Sequence, residues 1–183
     1  KMPQSIMRTY RYYYNFKKKE NKAKEWIGEQ NAKKWIEENN SNQPGGLIKL
    51  SGCRFSAYRY NDKENEMCFP FRLRTSKKKD KPLIVLLHGA GAMGHDNIKQ
   101  LFDNIPLFRQ VLKEECSILL PQAPFGSNRG DDFTLNYVKS VKKLIDELPI
   151  DFDRKRIYVA GTSFGGFCVW HLAYLYPGFF AAA

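Results

Sequence analysis

Arg156-Ile157-Tyr158-Val159-Ala160-Gly161-Thr162-Ser163-Phe164-Gly165-Gly166-Phe167-Cys168-Val169-Trp170-His171 is the stretch that decides the fold. Its first five residues read as a strand, and Gly166 to Tyr176 reads as a helix. Between them stands Gly161-Thr162-Ser163-Phe164-Gly165. That is G-x-S-x-G in the strand–turn–helix setting that a nucleophile elbow requires. Such a turn is sharp and holds its serine in a strained conformation. Glycines two before and two after the serine, lacking Cβ atoms, leave room for it. The serine oxygen then projects at the N-terminus of a helix, where the dipole favours a developing anion. Taken alone the pentapeptide also fits a tight βα turn in some other α/β protein, so its flanks carry the reading.

A second segment supports the first. Lys81-Pro82 leads into Leu83-Ile84-Val85-Leu86-Leu87, a continuous apolar run that suits a parallel strand buried on both faces. It ends in His88-Gly89-Ala90-Gly91, which resembles the glycine-rich loop that gives one N–H to the oxyanion hole of lipases and esterases. The expected donors are therefore the N–H of Ala90 or Gly89 and that of Phe164, the residue after the serine. One such donor is worth about 3–4 kcal/mol of transition-state stabilisation.

The rest of the chain alternates strands and helices. Phe55–Tyr60 and Met67–Thr75 read as an antiparallel hairpin around Asn61–Glu66. In its second strand Phe69, Phe71 and Leu73 alternate with Pro70, Arg72 and Arg74, so one face is expected to be buried and Pro70 to lie near an edge. Asn97–Lys113 reads as a helix broken near Pro106, and Ser117–Leu120 as a short strand. Asp131–Leu148 reads as a helix with Phe133, Tyr137, Val141, Leu144, Ile145 and Leu148 on its buried face. The expected class is α/β: a mostly parallel sheet entered through an antiparallel hairpin.

From about Phe55 to Ala183 the chain resembles the α/β-hydrolase esterases. The branch is that of phospholipase/carboxylesterase-like, feruloyl-esterase-like and polyhydroxybutyrate-depolymerase-like enzymes. The likeness is carried by Pro82 to Gly91, Asp96-Asn97, Pro121-Gln122-Ala123-Pro124, Asp151 to Tyr158, the elbow, and Tyr176 to Ala182. It implies hydrolysis of a small-molecule or carbohydrate-linked carboxylic ester by Ser163, through an acyl-enzyme, with no cofactor and no metal. In this fold the acid and the histidine follow the serine, and 20 residues follow Ser163 here. The resemblance therefore implies an N-terminal fragment, inactive alone, with the C-terminal strands missing. Arg156–Ala160 is then expected to be an open sheet edge. Two other readings stay open: a prolyl-oligopeptidase-like serine peptidase, and a non-catalytic binding protein on the same fold.

The three histidines offer no base. His88 opens the oxyanion loop and suits a structural role there. His171 lies eight residues after Ser163, about 12 Å along the helix. His95 is expected to line the substrate pocket, and Phe125, after a strand's C-terminal end, to form its rim. Phe164 is expected to pack near the acyl pocket.

Composition narrows the remainder. Apolar residues make up 43% of the 183 and aromatic ones 14%, as in a globular protein. No apolar run is long enough to span a membrane. The net charge of +11 lies largely in Lys17–Lys19, Lys77–Lys79 and Lys142-Lys143; these fit solvated surface, and no nucleic-acid motif accompanies them. The start carries no signal-peptide pattern. Cys53, Cys68, Cys116 and Cys168 show no zinc spacing. With Cys68 opposite about Arg59, Cys53 stands roughly 20 Å away along the strand, beyond disulfide reach. Free thiols favour a reducing compartment, hence the cytoplasm. Residues 1–45 are read as an appended helical or partly ordered extension, and 46–183 as the partial hydrolase domain. The extension holds a tandem nine-residue repeat, Ala23–Asn31 and Ala32–Asn40, identical at six positions.

Overall fold

The computed structural model describes residues 48–50, 53–103, 111–127 and 131–183, with the backbone alone given for 48–50, 53, 54 and 131. The proposed extension and its repeat lie outside the described residues, as does most of the expected helix around Pro106. In chain order the strands are β1 (Ile48–Leu50), β2 (Cys53–Asp62), β3 (Met67–Arg74), β4 (Leu83–Leu87), β5 (Ser117–Pro121) and β6 (Ile157–Gly161). The helices are α1 (Lys99–Asp103), α2 (Asp131–Glu147) and α3 (Phe164–Leu175), with a single 3-10 turn at Ala90–Ala92.

The strands form one mixed sheet in the order β1-β2-β3-β5-β4-β6. β1 to β3 are a meander, and β3 meets β5 antiparallel. β4 lies between β5 and β6 and runs parallel to both. Three adjacent parallel strands therefore deliver their C-terminal ends to one edge of the sheet. Phe125, Ser163 and the loop opening at His88 each follow one of those ends.

Both sheet faces are covered, which is why β4 and β5 read as unbroken apolar runs. Leu83, Val85, Leu87 and Leu119 face a core shared with Tyr137, Val138, Val141, Leu144 and Ile145 of α2 and Cys168 and Leu172 of α3. Leu86, Ile118 and Leu120 face a second core with Phe55 and Leu101. Each fully buried side chain of this kind contributes about 1.5–3 kcal/mol. Helix α3 is apolar all round, and its Phe167, Trp170 and Tyr174 stand exposed.

Several expectations are corrected. β2 is two residues longer at each end than expected, so Cys68 stands opposite Asn61 and Arg59 opposite Pro70. The two-residue shift preserves which side chains share a face. Cys68, Cys116 and Cys168 are free thiols, as expected. β3 is buried on both faces and Arg72 is fully inaccessible, because the loop after β4 closes over it and the Asn97 carbonyl accepts its Nε–H at 2.7 Å. Burial pushes the guanidinium down to about 9, so it stays charged at neutral pH. Pro70 lies within an interior strand. Its carbonyl accepts the Gln122 N–H, one residue past the end of the β5 ladder, so its own missing N–H falls where that ladder has ended. Phe133, on the expected buried face of α2, is 41% exposed. The edge of β6 is not wholly open: Ala181 N–H donates to Ile157 O, and the Val159 N–H donates to Ala182 O, a parallel bridge beside Tyr158.

The hairpin is fastened to α2 by a buried carboxylate. Asp62 accepts hydrogen bonds from Asn65 Nδ2 (2.6 Å), Ser140 Oγ (2.7 Å) and Lys143 Nζ (3.2 Å), and from the Glu64 and Asn65 N–H groups. Burial alone would raise its pKa; these donors outweigh it and lower the value from 3.8 to about 2. A depressed carboxyl pKa stabilises the fold above the unfolded value and loses that contribution as pH falls through the folded one. Asp62→Asn should therefore cost about 2 kcal/mol at pH 7 and flatten the decline in stability between roughly pH 4 and pH 2. Urea unfolding across that window checks it; parallel wild-type and variant curves would refute the role.

Candidate active site

Gly161-Thr162-Ser163-Phe164-Gly165 forms a turn held by backbone hydrogen bonds. Thr162 N–H donates to Leu87 O at 3.1 Å, which ties the turn to the end of β4. Gly165 N–H donates to Thr162 O at 3.0 Å, and Phe167 N–H to Ser163 O at 3.1 Å. Ser163 has φ 55° and ψ −116°. Such a conformation in a non-glycine residue costs about 1–3 kcal/mol and is held by its surroundings. The two glycines are demanded by space. A Cβ on Gly161 would overlap the Gly165 backbone, and one on Gly165 would overlap the Leu87 carbonyl and stand 2.9 Å from His88 O.

Ser163 heads α3 yet makes no side-chain cap. The residue is exposed, and its hydroxyl has no hydrogen-bond partner among the described residues. An N-terminal serine normally caps its helix. Here the left-handed turn lifts the hydroxyl off the helix and leaves it open to an incoming group. Phe164 N–H, at the first position of α3, has no intrahelical acceptor. Among the described residues no turn or side chain takes it either.

The loop after β4 packs directly on the elbow. The space where a Gly89 Cβ would stand is 3.4 Å from Thr162 O and 3.6 Å from Ser163 Cβ. Two N–H groups in this loop were candidate donors, and the structure separates them. The Gly89 N–H is occupied, donating to Asp103 Oδ2 at 2.6 Å. The Ala90 N–H has no acceptor among the described residues, and Ala90 is exposed. Phe164, next to Ser163, and Ala90, in the loop packed on the elbow, thus offer open amides, and Gly89 does not.

His88 is buried beneath this loop. Its Nε2 accepts the Ala123 N–H at 2.8 Å, so the proton sits on Nδ1 and is donated to Gly89 O at 2.7 Å. Burial pushes its pKa down, keeping the ring neutral. His171 Nδ1 is engaged with Phe167 O, on its own helix. His95 and Phe125 are brought together, ring centroids 6.4 Å apart and edge to face, at the end of β5. Desolvation, and after it the charge of Arg59, push the His95 pKa down. Phe164, expected near the acyl pocket, turns inward instead: its ring is 7% exposed and stacks on Tyr137 at 6.3 Å. What it presents beside Ser163 is its backbone N–H.

Sequence reasoning missed the polar scaffold that holds this loop. Asp96 Oδ1 accepts the Ile98 and Lys99 N–H groups at 2.8 and 2.9 Å and so caps α1. Asn97, at φ 54°, donates its N–H to Gln122 Oε1 and its Nδ2 to Phe71 O, while Gln100 donates to its Oδ1. Gln122 Nε2 donates to Ala92 O inside the loop after β4. An acidic residue just ahead of a helix, here three before Lys99, is a legible cap signal. Nothing in the sequence marked Asp103 or the burial of Arg72. Among the described residues no group of three or more His, Cys, Asp or Glu is placed to hold a metal ion, and no helix is long and apolar enough to cross a membrane.

No family model matches the chain, and neither does any curated protein sequence. Solved structures do resemble it. A thermostable esterase is 32% identical over 70% of this chain and 40% of its own, with a TM-score of 0.56. A ferulic acid esterase from the anaerobic fungus Anaeromyces mucronatus is 18% identical over 74% of this chain and 60% of its own, at 0.52. An S-formylglutathione hydrolase from Staphylococcus aureus is 14% identical over 70% of this chain and 57% of its own, at 0.54. The chain thus spans between 40% and 60% of the length of these three.

Proposed function

From the α/β-hydrolase fold of the esterase kind that this chain has, we propose that the protein is a serine hydrolase acting on carboxylic esters through an acyl-enzyme. The observation that carries this is Ser163: a strained, exposed serine whose neighbour Phe164 has an open backbone amide, with a second at Ala90 in the loop packed on the same turn. Its oxygen attacks the ester carbonyl carbon and its proton passes to a histidine base. The carbonyl oxygen becomes an anion held by the N–H groups of Phe164 and Ala90. Collapse expels the alcohol, which takes the proton back, and water then releases the acid and restores the serine. The three histidines of this chain are engaged elsewhere or not in contact with Ser163, and in this fold the acid and the histidine base follow the serine. His95 and Phe125 form an aromatic rim that suits an aryl or carbohydrate-linked aryl ester.

The full-length protein should hydrolyse p-nitrophenyl acetate or methyl ferulate with a kcat/KM at least about a hundredfold above that for an alanyl-prolyl anilide. Steady-state kinetics on purified enzyme checks this. The reverse ranking would promote the peptidase reading. Absence of any turnover, with no labelling by a fluorophosphonate, would promote the binding-protein reading.

A further inference from the structure

Asp103 is the last residue of α1, half-buried, and its carboxylate reaches back to the oxyanion loop. We propose that Asp103 is a positioning residue: with His88 it clamps the backbone of Gly89 so that the Ala90 N–H is aimed at the carbonyl under attack. This rests on the reading of Ser163 as the nucleophile.

The argument is one of peptide geometry. Gly89 joins two rigid peptide planes. The plane before it carries the Gly89 N–H, held by Asp103 Oδ2 at 2.6 Å. The plane after it carries both the Gly89 carbonyl and the Ala90 N–H, pointing in opposite directions because the peptide is trans. Its carbonyl is gripped by His88 Nδ1–H at 2.7 Å and by the Ala92 N–H at 3.0 Å. Gripping that oxygen from one side presents the Ala90 N–H on the other. With both planes held, Gly89 is fixed at φ −74° and ψ 166°.

A Cβ at Gly89 would meet only ordinary van der Waals contacts, with Asp103 and Thr162 at 3.4 Å and Ser163 at 3.6 Å, so space alone does not demand a glycine. Glycine is the residue with most freedom to rotate, so an unclamped loop would scatter the donor. The His88 side has its own support in the Ala123 N–H. The first plane is held by the carboxylate, in a short charge-assisted hydrogen bond of the strong kind. The negative charge itself does not help an oxyanion. What the site requires of Asp103 is an acceptor at that point, which an amide oxygen also supplies.

The test uses the full-length enzyme, with active sites counted by fluorophosphonate labelling. Asp103→Ala should lower kcat for p-nitrophenyl acetate by about tenfold or more with KM within about twofold, because the aimed donor acts only in the transition state. An aryl trifluoromethyl ketone, which forms a tetrahedral adduct with the serine, should bind more weakly by the same factor. Asp103→Asn keeps the acceptor and should stay within about threefold of wild type on both measures. Asp103→Ser, polar but too short to reach the amide, repeats the test if the alanine variant does not accumulate folded. Unchanged kcat and ketone affinity in the folded Ala or Ser variant would overturn the clamp. So would an Asn variant that falls as far as Ala, since the charge and not the acceptor would then matter. Ser163→Ala run alongside separates the two levels: full labelling in that variant sinks the nucleophile reading and the clamp with it, whereas lost labelling leaves Asp103 to be judged on its own variants.

Discussion

Ser163→Ala in the full-length protein should lower ester turnover by about 10⁴-fold or more while the fold survives. The size follows from the proposed chemistry: without the oxygen no acyl-enzyme would form, and only binding and the proposed oxyanion amides would remain. The survival follows from the structure, where the hydroxyl caps nothing and touches no partner among the described residues. Alanine meets the same backbone strain at φ 55° and ψ −116° as serine does. Glycine does not, so Ser163→Gly should be equally inactive yet more stable than wild type by about 1 kcal/mol. Kinetics and thermal unfolding of the two variants check both halves. Near-wild-type turnover by a folded Ser163→Ala enzyme would falsify the assignment.

Gly165→Ala should cost roughly 3 kcal/mol or more and leave little folded protein. The added methyl overlaps the Leu87 carbonyl, which belongs to the centre of the sheet and cannot move without the elbow. Its neighbour supplies the control. A Cβ on Gly166 meets only Gly161 O, at 3.7 Å, and Gly166 lies inside α3. Gly166→Ala should therefore be neutral or stabilising, by up to about 1 kcal/mol from helix propensity. Soluble yield and urea midpoints of the pair are decisive: equal stability would mean that the elbow does not press on β4 as described.

Much of the architecture was legible because the governing interactions are local or periodic. The elbow declares itself through two glycines whose spacing is set by a turn. The run Leu83–Leu87 declares a strand covered on both faces, and β4 has those bounds. The stripe on α2 was read correctly at Tyr137, Val141, Leu144, Ile145 and Leu148, and failed at Phe133, in the first turn. Helix α3 offered no stripe at all, being apolar on every side.

What depends on contacts distant in sequence was not legible. Alternation in β3 made Arg72 look outward; only a loop returning from β4 buries it and supplies the Asn97 carbonyl that makes burial tolerable. The hairpin register was misread by two residues, a shift that keeps every side chain on its face and so leaves no mark on the pattern. Two loop amides, Gly89 and Ala90, looked alike as donors. The distinction came from Asp103, fourteen residues on, whose carboxylate takes one and leaves the other open. The sequence by itself thus determined which elements form and which serine stands at the turn, since backbone sterics and hydrophobic period act within a few residues. Tertiary structure alone decided which loop amide is taken and which polar groups are buried, because each is settled by a partner that only the folded sheet brings near.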